Sequence, residues 1–265
     1  MYPEQELEHK TMNSQKLLNM SLSLGSMDAF LTEITSLAEL RAPAYVCVAN
    51  AHMLVETIRD PQFRRVVNEA NIVTPDGMPL VKALKWLHGI SQERVAGMDL
   101  LPRLLEKAEK KGISVFFYGG SPALVELTQQ HCRVYFPQLQ IAGVYSPPFR
   151  KLTAREEEEM IQHIQASGAH LVFVVLGCPK QEKWMAQMSG RISATLVGIG
   201  GALPVLVGLQ KRAPQWMQQN SLEWLYRLGQ EPKRLFSRYF VTNSLFLFFL
   251  FRERIRLAWQ RVFSL

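Results

Sequence analysis

Six short apolar runs constrain this chain more than any other feature. They fall at residues 44–49, 72–74, 113–118, 140–145, 171–176 and 195–199, and amphipathic stretches of helical length fill the gaps. Short runs rich in Val, Ile, Leu and Phe, alternating with helices, are the pattern of βαβ units around a parallel sheet. Local punctuation agrees. Asp60 before Pro61 reads as an N-cap with proline at the first helical position. Thr153 with Glu156 three residues on reads as a capping box, and Ser121 caps a helix directly after Gly119-Gly120. The expected fold class is α/β, a mainly parallel sheet flanked by helices.

In open parallel sheets, ligands bind beyond the carboxyl ends of the strands. Unusual residues gather at those ends. Asn50 follows the first run and Pro75-Asp76-Gly77 the second. Gly119-Gly120, Tyr145 and the segment from Gly177 to Glu182 follow the next three, and Gly200-Gly201 follows the sixth. The chain has four aspartates, Asp28, Asp60, Asp76 and Asp99, and Asp76 alone comes directly after an apolar strand. A Pro-Asp-Gly turn accounts for it structurally. A general base accounts for it chemically, since burial at a strand end raises a carboxyl pKa toward neutrality. The glycine pairs at 119–120 and 200–201 either end strands with close packing or offer backbone N–H groups to a diphosphate. Lys180, Gln181 and Lys183 fall on the first turn after Pro179, as a solvated face or as donors to an anionic or hydroxyl-rich ligand.

Absences narrow the chemistry. No DxD pair is present to bridge a metal to a diphosphate, and the six histidines show no ligand spacing. Among them His52, two residues after Asn50, is the one beside a strand end. Three scattered cysteines give no CxxC, so neither a disulfide framework nor a zinc site is expected, and a reducing compartment fits. The first fifteen residues lack an apolar core, so no secretory signal is expected. No metal and no cofactor is expected.

The net charge of +7 sits entirely in residues 210–265, which hold ten Lys/Arg against three Glu. A boundary near Lys211 divides the chain into an α/β core, 1–210, and a basic, aromatic helical appendage, 211–265. The apolar run at 240–251 has twelve residues, where a spanning helix needs about 20. It reads as an interfacial segment with arginines on lipid phosphates, or else as an ordinary core helix with a basic outer face. The interleaved aromatic residues favour an anionic membrane surface over nucleic acid as the partner.

The segments TPDG, ERVAGMDLL, FFYGG, YSPPF, GCPKQEKW, GIGGALPVLVG, KRAP, SLEWLYRL and EPKRLFSRYF resemble the WecG/TagA/CpsF glycosyltransferases, in order over roughly residues 46–239. The resemblance implies a Rossmann-like core with a C-terminal membrane-associating appendage. It implies metal-independent, inverting transfer from a UDP-sugar to a polyprenyl-diphosphate-linked saccharide in surface or exopolysaccharide biosynthesis. Such a protein works peripherally at the cytoplasmic face of the inner membrane. Under the resemblance Asp76 is the base, and Asn50, Arg94 and Gln181 are polar pocket residues. Arg227, Arg234 and Arg238 complete the site over the acceptor diphosphate. Gly119, Gly120, Tyr145, Gly177, Lys180, Gly200 and Gly201, at the strand ends, are the candidate donor-binding set. Val48 stands where teichoic-acid members carry threonine, so the donor stays open among N-acetylmannosamine, its uronic acid and glucose. Acceptor sugar, linkage and oligomeric state, a homo-oligomer included, also stay open. Two other readings compete. A nucleotide-dependent oxidoreductase or epimerase would need a dinucleotide fingerprint and a Tyr-xxx-Lys pair, and neither is visible. A membrane-bound sugar-nucleotide sensor would keep the pocket without needing Asp76.

Overall fold

The computed structural model describes residues 12–263, and the expectation about the first residues lies largely outside them. A hairpin comes first, β1 (Ser14–Leu17) and β2 (Met20–Ser23), paired antiparallel. The periodicity of the sequence does not announce it, because each strand is only four residues long and half or more of each is polar. All six expected strands form, with ends moved by two residues at most: β3 (Tyr45–Ala49), β4 (Ile72–Pro75), β5 (Val115–Gly119), β6 (Ile141–Tyr145), β7 (Leu171–Val175) and β8 (Thr195–Gly198). They build one parallel sheet in the order β4-β3-β8-β7-β5-β6.

Helices cover both faces, so the central strands bury both sets of side chains. On β3, Tyr45, Cys47 and Ala49 enter one core with Phe116, Tyr118, Val172 and Val174. Val46 and Val48 enter the other with Phe117, Phe173 and Val197. The helices are α1 (Met27–Glu39), α2 (Ala51–Arg59), α3 (Pro61–Asn68), α4 (Met78–His88), α5 (Gly97–Lys111), α6 (Pro122–Tyr135), α7 (Ala154–Ala166), α8 (Lys180–Met188) and the short α9 (Ala202–Leu206). The caps read from sequence are present. Asp60 Oδ1 accepts the Gln62 and Phe63 amides, Ser121 Oγ accepts the Leu124 amide, and Thr153 and Glu156 form the reciprocal capping box.

Beyond Lys211 the chain is helical: α10 (Gln215–Gln219), α11 (Glu223–Gln230) and α12 (Pro232–Phe263). The last packs on α2 and α4. Leu235, Thr242, Phe246 and Leu250 form its buried stripe, and Phe246 and Leu250 join the same core as β3. On the opposite side Phe236, Phe240, Phe248, Phe251, Ile255 and Trp259 stay exposed. The apolar run at 240–251 is therefore split, with Thr242, Phe246 and Leu250 buried and Phe240, Leu247, Phe248 and Phe251 facing outward. Among the described residues no helix is long and apolar enough to cross a membrane.

Candidate functional site

A cavity of about 610 Å³ opens over the carboxyl ends of β4, β3, β8 and β7 and is roofed by α11 and the start of α12. Each strand end delivers its residue because the chain turns sharply there into a helix. Asn50, after β3, caps α2: its Oδ1 accepts the Met53 amide at 3.1 Å, leaving its NH₂ group beside the cavity. Asp76, after β4, sits on the cavity floor, reachable from it but otherwise surrounded by protein. Its Oδ1 accepts the Gly97 amide at 3.0 Å. Burial and the nearby Glu223 push its carboxyl up to about 6, against the pull of Arg227, Arg94 and that amide. A carboxylate so tuned holds its charge at neutral pH and still takes a proton readily.

The segment after β7 supplies Gly177, Lys180 and Gln181, and β8 leads into Gly200 and Gly201, all on the same cavity. Lys180 is exposed at the rim, whereas Gln181 is buried. Gly200 has a packing reason to be glycine: a Cβ there would lie 3.1 Å from Gln181 Oε1. Its amide already bonds to the Val174 carbonyl. From above, α11 contributes Arg227, which meets Met98 Sδ at 3.9 Å, and α12 contributes Arg238. Arg238 lies near His52, whose pKa is lowered by burial and by Arg238 itself. His52 Nδ1 in turn meets Thr242 Oγ1 of α12 at 3.4 Å, so the appendage reaches directly into the site.

Not every residue named from sequence lines this cavity. Arg94 stands behind it, with Nη1 donating to Glu223 Oε2 at 2.8 Å and Nη2 to Gln218 Oε1 at 3.0 Å. Gly119 and Gly120 end β5 farther along the sheet. Gly119, at φ +108°, lies so close to β7 that a Cβ would come 2.4 Å from the Val175 oxygen, and the Gly120 amide is bonded to that same oxygen. Tyr145 stacks on Tyr118, which stacks on Trp184. The strand order explains the separation, since β8 and β7 intervene between β3 and β5. Arg234 lies on α12, but its side chain lies outside the described residues.

Two residues escaped the sequence reading. Glu223, at the start of α11, pairs with Arg94 and raises Asp76. Glu182 is fully buried beside Gln181. Neither charge is distinguishable in sequence from a solvated helix face. Among the described residues no group of three or more His, Cys, Asp or Glu side chains is placed to hold a metal.

The sequence signature of the glycosyl transferase WecG/TagA/CpsF family matches residues 15–260. The N-acetylglucosaminyldiphosphoundecaprenol N-acetyl-beta-D-mannosaminyltransferase of Bacillus spizizenii is 35% identical over 192 residues, covering 72% of this chain and 73% of its own.

Proposed function

The chain belongs to the WecG/TagA/CpsF family of glycosyl transferases, and on that premise we propose that it moves a sugar from a UDP-sugar to a polyprenyl-diphosphate-linked saccharide, with inversion and without a metal ion. The observation that carries the reading is Asp76, a carboxyl raised to about 6 on the floor of a cavity that Lys180, Arg227 and Arg238 also line.

The acceptor hydroxyl is a poor nucleophile until a base takes its proton. Asp76 accepts that proton as the oxygen attacks the anomeric carbon from the face opposite the nucleotide. The bond to the donor diphosphate breaks, and its negative charge grows as it leaves. Cationic side chains and the donors of Asn50 and Gln181 balance that charge. Guanidinium groups suit the acceptor diphosphate because their planar forks take two phosphate oxygens together. Glu223, the acid that raises Asp76, is engaged by Arg94, and Asp99 by Arg212, which supports charge balance by side chains instead of a divalent ion.

The named relative acts on an undecaprenyl-diphosphate-linked N-acetylglucosamine, and the exposed stripe of α12 suits a substrate held in a bilayer. We place the protein at the cytoplasmic membrane face, where UDP-sugars are made. The test is a panel of UDP-sugars with a short polyprenyl-diphosphate N-acetylglucosamine, read as UDP release in EDTA. One donor should release UDP only with acceptor present. Silence with every donor would overturn the reading, and activity lost in EDTA and restored by magnesium would overturn its metal-free part.

A further inference from the structure

Gln181 and Glu182 open α8 side by side, and both are buried, at 4% and 0% exposure. The Gln181 carboxamide is held at both ends. Its Oε1 accepts the Gly177 amide at 3.1 Å, and its Nε2 donates to Glu182 Oε1 at 2.8 Å. It lies in a slot that two glycines leave open, because a Cβ on Gly198 would come 3.0 Å from Nε2 and one on Gly200 3.1 Å from Oε1. These contacts fix which end is oxygen and which is nitrogen, a choice an amide otherwise makes freely. They also leave one Nε2 hydrogen over, on a side chain that lines the cavity.

Glu182 is a buried acid without a charge partner among the described residues, and its Oε2 has no hydrogen-bond partner among them. Burial raises its pKa above the ordinary carboxylate range, and the Cys178 thiol lies beside it. A buried acid with one unpartnered oxygen destabilises a core relative to an apolar side chain of the same size. Such a group is retained where it holds something else in place.

We propose that Glu182 is a positioning residue, which locks the Gln181 carboxamide so that its free N–H, never its carbonyl, faces the ligand. The partner is then an oxygen acceptor: a sugar hydroxyl, an N-acyl carbonyl or a phosphate oxygen of the donor or acceptor. This rests on the transfer reaction proposed above. The change Glu182→Gln would preserve the accepting oxygen in a side chain of the same shape. The change Glu182→Leu would remove it and leave the carboxamide held at its Oε1 end alone, so that its N–H is no longer fixed toward the ligand oxygen.

The experiment compares the full chain with its Glu182→Gln and Glu182→Leu variants in detergent. Three quantities are read: melting temperature, kcat and KM for the UDP-sugar, and hydrogen exchange of the Gln181 side-chain NH₂ in ¹⁵N-glutamine-labelled protein. The signal is assigned by its loss in Gln181→Ala. Glu182→Leu should melt at or above the wild-type temperature, lose amide protection, and lose kcat by between about tenfold and a hundredfold, the usual effect of a misoriented site group. Glu182→Gln should keep the protection and stay within about threefold of wild-type kcat. Wild-type kcat in Glu182→Leu, or protection unchanged in it, overturns the proposal. So does a fall of melting temperature and kcat together in both variants, which marks a purely structural role. If the wild type itself transfers no sugar, the exchange data still decide whether Glu182 holds the amide, and it is the transfer reaction that fails.

Discussion

At the scale of single residues, Asp76 was legible because its position is set by a rule of parallel sheets, the strand-end turn, and needs no knowledge of distant contacts. Its tuning was not, since Glu223 and Arg94 reach it only through the tertiary fold. As the base proposed above, a carboxyl with a pKa of about 6 predicts a single acidic limb in the pH profile of kcat/KM, falling below pH about 6. Asp76→Asn should lower turnover by at least about a hundredfold while nucleotide binding persists. Stability gives a check of opposite sign. The folded carboxyl binds its proton more tightly than the ordinary 3.8 of the unfolded chain, so this group favours folding most at low pH and loses that advantage as pH rises from about 4 through about 6. At pH 7.5 the Asn variant should therefore melt no lower than wild type, with its Oδ1 still accepting the Gly97 amide. A variant that is both inactive and strongly destabilised would make Asp76 a turn residue only.

At the scale of elements, the six sheet strands were readable to within two residues because each is a buried apolar run bounded by turn residues. Their order was not readable. Nothing in residues 195–199 says that β8 inserts between β3 and β7, and that insertion is what leaves Gly119, Gly120 and Tyr145 off the cavity. The pairing that holds the roof was equally hidden, since Arg94 and Glu223 are 129 positions apart. The roof rests on two arginine clamps. Arg212 grips Asp99 with two bonds of 2.7 Å, and Arg94 holds Glu223 and Gln218. Fork-to-carboxylate geometry resists rotation as well as separation. Arg212→Met should therefore loosen α10 and α11 more than it destabilises the whole. Expected are faster amide exchange across residues 215–230, a stability loss on the order of 1 kcal/mol for partly exposed pairs, and a lower kcat. Exchange rates unchanged in that segment would show that packing, not the clamp, holds the roof.

At the scale of the whole molecule, charge and apolar exposure coincide on the appendage that roofs the site. The buried stripe of α12 makes this helix part of the core, so cutting the chain before it would uncover Phe246 and Leu250, at about 1.5–3 kcal/mol for each side chain. Membrane binding is better tested on the outward stripe alone. Phe240, Phe248 and Ile255 are 67%, 59% and 58% exposed, and from Phe236 to Trp259 the stripe runs about 35 Å along the helix. A polyprenyl acceptor cannot leave the bilayer cheaply, because each buried CH₂ contributes about 0.8 kcal/mol, so the enzyme must come to it. Arginines near the headgroups add attraction that salt screens, while the apolar insertion persists. The triple replacement Phe240→Gln, Phe248→Gln, Ile255→Gln should leave the melting temperature within about 2 °C of wild type, since none of the three packs in the core. It should abolish sedimentation with anionic liposomes, whereas high salt only partly releases the wild type. Turnover should collapse on a long-chain acceptor in liposomes and survive on a short-chain acceptor free in solution. Equal loss on both acceptors would place these side chains in the site instead of at the membrane, and wild-type sedimentation would show that another surface makes the contact.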